Sequence, residues 1–153
     1  MIVLRTVAAC DGDALHAIFS QPGVKRYLFD DEAPTREQTR AIVEVARKDV
    51  AWAIVEEASV IGFVALRRKD GTRELVVAID ERLWGRGVGY EAAQAALRHG
   101  FEVLKLDRIL AGVDLPNERS HRLMLRLGFV AVGEEDGPKY RLRNYEALRR
   151  SGT

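Results

Sequence analysis

The 153-residue sequence predicts a single α+β domain, one mixed β-sheet lying between helices in the order βααβββαβαββ. Three observations point there. Two segments with helical spacing precede a valine-rich middle broken by short turns. A run with three alternating glycines, residues 83–93, then leads from the last middle strand into a long amphipathic helix. The C-terminal third alternates strand, helix and two further strands. A chain this long buries roughly 70% of the surface its unfolded form exposes, enough for one core.

Residues 2–7 read as a first strand. Asp11 or Asp13 can cap a helix carrying Leu15, Ile18 and Phe19 on one face, and Pro22-Gly23 ends it. Residues 27–34 are acidic and aperiodic, a loop. Thr35 and Gln38 have the spacing of a capping box, followed by Ala41, Ile42, Val45 and Ala46 as a buried helix face. Residues 51–56 and 60–68 are strands joined by a turn at 57–59. Asp70-Gly71 then marks a hairpin into a third strand at 74–79. Between residues 87 and 104, Ala93, Ala96, Leu97, Phe101 and Leu104 repeat as a helix face. Residues 108–113 form a strand whose sense the sequence leaves open. Residues 117–127 form a helix closed by Gly128, and residues 129–133 and 139–145 are late strands separated by Gly137-Pro138.

Composition excludes several classes. A net charge of +1 gives no global basic footprint for duplex nucleic acid, and the clusters at 67–69 and at Arg119, His121, Arg122 and Arg126 read as a solvated turn and helix face. Cys10 stands alone, so no intrachain disulfide or multi-cysteine metal site exists. His16, His99 and His121 lie far apart, which predicts no metal. No secretory leader and no apolar run of membrane-spanning length is visible, so the expected location is the cytoplasm.

The glycine run carries the chemistry. Gly85, Gly87 and Gly89 precede a helix start, where unpaired N–H groups and the positive end of the helix dipole suit an anion. A dinucleotide fingerprint would need glycine where Tyr90 stands, and Asp107 precedes the next strand instead of ending it. A P-loop fails because no Gly-Lys-Ser/Thr follows. A phosphorylated ligand of another kind, or a tight turn with no ligand, remains.

The segment Trp84-Gly85-Arg86-Gly87-Val88-Gly89 resembles the pyrophosphate loop of the GNAT superfamily of N-acetyltransferases, Gln/Arg-x-x-Gly-x-Gly/Ala, with Trp84 departing from the usual first residue. Tryptophan there is similar to the branch that includes the ribosomal-protein N-terminal acetyltransferases. So are Asn117-Glu118-Arg119-Ser120, Leu127-Gly128-Phe129, Trp52-Ala53-Ile54, Ile61-Gly62-Phe63-Val64 and the early segment from Leu4 to Leu28. The resemblance spans nearly the whole chain and implies a mostly antiparallel GNAT-like sheet.

It also implies acetyl transfer from acetyl-CoA to a primary amine, either a protein N-terminus or a small molecule, in a monomer or homodimer. The main chain of residues 85–90 (Gly85, Arg86, Gly87, Val88, Gly89 and Tyr90, with Trp84 before them) would hold the diphosphate, Arg86 adding charge. The pantetheine arm would lie along Val77, Ala78 and Ile79, one amide facing the thioester oxygen, with Asn117 and Ser120 alongside. Glu74 is the first candidate for the group that takes the amine proton, and its competing reading is a cross-strand ion pair with Arg67 or Arg73. Asp114 and His121 are the other candidates, His121 reading more readily as a surface residue. Many members place a tyrosine acid where this chain has Met124, and Ser120 is the substitute near the sulfur. A coenzyme-binding sensor without activity is the alternative function.

Overall fold

The turn between the two longest middle strands shows how local chemistry sets the frame. Asp70 and Gly71 have φ of 49° and 78°, the left-handed pair that a two-residue hairpin requires. They join β3 (Ser59–Lys69) to β4 (Thr72–Ile79), which pair from Lys69↔Thr72 to Gly62↔Ile79. The computed structural model describes residues 1–150. Around this hairpin it sets β1 (Val3–Thr6), β2 (Ala51–Glu56), β5 (Arg108–Asp114), β6 (Val130–Asp136) and β7 (Arg141–Leu148), in the sheet order β1-β2-β3-β4-β5-β7-β6. Every neighbouring pair is antiparallel except β4 and β5, which run parallel. The α+β class and mostly antiparallel sheet are therefore as expected.

Strand alternation divides the core in two. Phe63, Ala65 and Ala78 face α1 (Gly12–Phe19), α2 (Pro22–Leu28) and α3 (Arg36–Arg47), meeting Leu15, Ile18, Phe19, Val24, Val43 and Ala46. Val64, Leu66, Leu75 and Ile79 face α4 (Val88–Arg98) and α5 (Glu118–Arg126), meeting Ala92, Ala96, Leu97 and Met124. The α3 capping box forms as expected: Gln38 N–H donates to Thr35 Oγ1 at 3.0 Å, and Thr35 N–H donates to Gln38 Oε1 at 2.9 Å.

One helix was not anticipated. Pro22-Gly23 does not simply end α1. Pro22 occupies the first turn of α2, where its missing N–H costs nothing, and the helix runs through Tyr27 to Leu28. The loop expected at 27–34 therefore begins only at Phe29. Gly23 is required for close approach, since a Cβ there would lie 2.6 Å from both the Glu81 carboxylate and the Trp84 ring. The long helix runs on to Val103, as its apolar spacing implies, but its last turn is not α. At His99–Val103 it loosens into a π turn that brings Gly100 against Ile109 and Leu66. Among the described residues no helix is long and apolar enough to cross a membrane.

Candidate active site

The site begins where the sheet opens. β4 and β5 pair only at Arg73↔Ile109 and Glu74↔Leu110. Beyond that vertex each strand keeps its outer neighbour, β4 to Ile79 and β5 to Asp114, while the inner edges lose each other. Asp80 N–H donates to Ile61 O on β3 at 2.9 Å. Alternation then turns the main chain of Ala78 to β3 and that of Val77 and Ile79 to the gap. The Ile79 carbonyl is taken by Trp84 Nε1–H at 3.0 Å. Val77 thus offers a free N–H and C=O to the gap and Ile79 a free N–H, whereas Ala78 is already engaged.

The glycine loop closes the end of this gap. Gly85 and Gly87 have φ of 84° and 80°, and Gly87 is the N-cap of α4. A Cβ on either would meet nothing within 4 Å, so glycine is needed there for its left-handed backbone and not for room. The Gly87 carbonyl accepts from Glu91 N–H at 3.0 Å, and the amides of residues 85–90 donate no hydrogen bond within the described residues. Six consecutive free donors at a helix N-terminus are suited to an anion.

The expected loop residues divide by role. The buried Val88 side chain anchors α4, while Arg86 is exposed. Gly89 lies between Ile79 and Leu123, 3.7 and 3.9 Å from where its Cβ would stand. Trp84 pins the loop to the end of β4 and lies beneath the Arg119 guanidinium at 3.9 Å. Tyr90 lies beneath Arg126 at 4.0 Å. Desolvation lowers the Arg119 pKa, with the Arg122 charge adding to it. Two cations of α5 thus flank the loop.

On α5, Asn117 caps the helix, its Oδ1 accepting from Ser120 N–H at 3.4 Å. The half-buried Ser120 lies one turn before Leu123, on the side that meets Gly89, and its hydroxyl has no partner among the described residues. Met124 is 4% exposed and belongs to the core.

Two buried carboxylates lie on the opposite face of the opened strands. Glu74 sits at the vertex with both oxygens engaged: Arg67 Nε donates to Oε1 at 2.7 Å and Lys69 Nζ lies 3.1 Å from Oε2. The cross-strand pair with Arg67 is therefore present, and Arg73 turns away to Asp49. Asp114 ends β5 and is 6% exposed, yet its carboxylate has no hydrogen bond or ion pair among the described residues. Burial pushes it up to about 6, and the charge of Asp30 adds to the rise. Continued from Glu74↔Leu110, the parallel register puts Asp114 level with Ala78 across the gap.

His121 is not the surface residue expected. It is half-buried, with Nε2 donating to the Asp114 and Leu115 carbonyls at 3.1 Å each and Nδ1 meeting the Tyr145 hydroxyl at 2.6 Å.

The free-amide loop falls on the segment that carries the resemblance, at the end of a parallel pair whose sense the sequence leaves open, and the model of the acetyltransferase (GNAT) domain matches residues 2–130. The chain belongs to the GNAT acetyltransferase family. This GNAT enzyme is 30% identical over 143 residues to the uncharacterized N-acetyltransferase YoaA of Bacillus subtilis, covering 86% of this chain and 81% of that one. It is 26% identical to the spermidine N(1)-acetyltransferase of Escherichia coli K12, covering 87% and 75%. A GNAT-family acetyltransferase structure from Bacillus anthracis superposes with a TM-score of 0.87 at 25% identity, covering 97% of this chain and 95% of that one. These matches establish the superfamily; the ribosomal-protein branch is a narrower statement than they make.

Sequence reasoning missed a set of contacts on the carboxylate face. Asp31, after α2, receives Lys139 Nζ at 2.6 Å and the Tyr140 hydroxyl at 2.9 Å, while the Tyr27 and Tyr140 rings lie 5.4 Å apart. Lys139, then Tyr140, hold Asp31 below the ordinary carboxylate range. This latch joins the loop after α2 to the β6–β7 turn, next to Asp30, whose charge is felt at Asp114. Its members are 108 and 109 positions apart in the chain, so no local pattern announces it.

Proposed function

We propose that this chain transfers the acetyl group of acetyl-CoA to a primary amine of a small molecule. The observation that carries the reading is the opened β4–β5 edge running into the free amides of residues 85–90. Acetyl-CoA, when bound, supplies the activated acyl thioester; the remaining requirements fall to the chain. Gly85, Arg86, Gly87, Val88, Gly89 and Tyr90 hold the diphosphate with their N–H groups, and the guanidiniums of Arg86, Arg119 and Arg126 add charge. The Val77 and Ile79 amides face the gap, where one can donate to an oxygen that gains charge during transfer. Asn117 fixes the start of α5, and Ser120 offers its hydroxyl toward the sulfur in place of the tyrosine that Met124 replaces.

The amine must give up a proton. Glu74 was the first candidate, but both its oxygens are occupied by cations, so in this reading it braces the vertex. Asp114, with free oxygens on the same face, takes the proton. Relatives named as spermidine acetyltransferases, together with a Vibrio cholerae spermidine N-acetyltransferase structure in complex with CoA and spermine, support a small-molecule amine over a protein N-terminus.

The test is acetyl-CoA-dependent thiol release across amines and an N-terminal peptide. Small amines should turn over; coenzyme binding with no release on any acceptor would leave only the sensor reading. Gly87→Asp combines backbone strain with like charge and should weaken acetyl-CoA binding by about 100-fold. Ser120→Ala should lower kcat by about tenfold with coenzyme affinity unchanged. Glu74→Gln should leave the pH–rate profile in place, whereas Asp114→Asn should move it.

A further inference from the structure

At the end of β5 the buried Asp114 carboxylate has no hydrogen bond or ion pair among the described residues, and the charge that reaches it is that of Asp30. Asp114 is more than nine-tenths buried, and its pKa is set only by burial and by the Asp30 charge. Every fully enclosed side-chain N or O among the described residues has a partner, so the unpartnered oxygens of Asp114 open to the cleft. The cations nearby are committed elsewhere. Lys139 is held by Asp31 at 2.6 Å and Arg141 by Asp136 at 2.7 Å, while His121 is bonded to the main chain and Tyr145. Asp30 itself is half-buried with φ of 52°, fixed by the neighbouring Asp31 latch.

We propose that Asp114 and Asp30 form the subsite that receives the acceptor's ammonium and excludes amines bearing a carboxylate on the adjacent carbon. This rests on the acetyl-transfer reading and narrows its substrate class to cationic alkyl amines. A buried carboxylate with no cation of its own, beside a second carboxylate whose nearest cation, Lys139, is already bound to Asp31, favours an incoming ammonium, and the same field opposes an α-carboxylate brought to Asp114. Like-charge juxtaposition at a desolvated contact discriminates by far more than a lost contact does.

Three acceptors probe that charge: pentylamine; norleucine, which is pentylamine with an α-carboxylate; and norleucine amide, which keeps the bulk without the charge, their difference in amine basicity cancelling when a variant is compared with wild type. The wild-type protein should use pentylamine and norleucine amide at least tenfold better than norleucine by kcat/KM. Asp30→Asn suits the left-handed backbone, since asparagine tolerates positive φ, and should shrink the norleucine penalty severalfold. Equal use of norleucine and its amide, or an Asp30→Asn variant with an unchanged ratio, would overturn the subsite while leaving acetyl transfer intact. Calorimetric binding of pentylammonium to the CoA-loaded protein tests the subsite without turnover. Asp114→Asn should weaken it at least tenfold, and unaltered affinity would overturn it. Binding of this kind with no acyl transfer would instead sink the transfer reading and keep the subsite.

Discussion

Asp80 and Asp114 follow one another across the opened sheet: the first stands just past the end of β4, the second at the end of β5, and they are 3% and 6% exposed. Their surroundings differ completely. Asp80 receives Arg82 Nη2 at 2.6 Å, Arg82 Nε and main-chain N–H at 3.1 Å, and Gln21 Nε2 at 3.0 Å. With Arg82 contributing most, it is held down to about 2. Asp114 has no such donors and is pushed up to about 6. The same side chain at nearly the same depth is thus a joint of the fold in one place and a carboxylate left without a protein partner in the other. Burial alone would not have told them apart; the donors do.

The contrast breaks most directly by mutation. Asp80→Ala should lose about 3 kcal/mol of unfolding free energy in urea, because it strands the Gln21 amide and the cap of the turn that leads to the glycine loop. Asp114→Asn removes an uncompensated charge and should leave stability at pH 7 unchanged or higher by about 1 kcal/mol or more. Equal losses would erase the distinction.

Titration sharpens it. Asp114 has a folded pKa above its ordinary value, so its ionisation opposes folding at pH 7. That penalty lifts as pH falls through about 6 toward 4. The stability gained by Asp114→Asn should therefore be largest near pH 7 and vanish by about pH 4, spanning at most about 3 kcal/mol. Asp80 has the opposite sign. Its stabilisation is full above the ordinary carboxylate value and is lost only as pH falls toward about 2. The deficit of Asp80→Asn relative to wild type should hold steady from pH 7 to 5. Parallel pH curves for the two variants would contradict both assignments.

What the sequence disclosed was local. The Asp70-Gly71 hairpin, the Thr35–Gln38 box, the glycine loop and Gly128 with φ of 92° after α5 each rest on residues a few positions apart. The Arg67–Glu74 pair was foreseeable because the hairpin register sets those residues opposite each other. Hidden features depend on distant neighbours. Gly23 is explained only by Glu81 and Trp84, and the latch by Asp31 meeting Lys139 and Tyr140. The hairpin register foretold a cation for Glu74; that Asp114 finds none depends on neighbours from distant parts of the chain, which spacing does not show.

The smallest expected effect concerns how Asp114 is aimed. Its carboxylate is free, but its carbonyl is held by His121, whose other nitrogen meets the Tyr145 hydroxyl. Tyr145→Phe keeps the buried ring, 2% exposed, and removes the hydroxyl that His121 and Arg143 both meet, for a loss of about 1 kcal/mol. Since His121 retains its bonds to the Asp114 and Leu115 carbonyls, coenzyme affinity should not move and the acceptor KM should rise only about twofold. His121→Asn retains a donor near those carbonyls, whereas His121→Ala does not. If the end of β5 needs that donor, the alanine variant alone should raise the acceptor KM several-fold at constant coenzyme Kd. Equal effects of the two variants would mean that Asp114 is aimed by the β5–β7 ladder and not by this histidine.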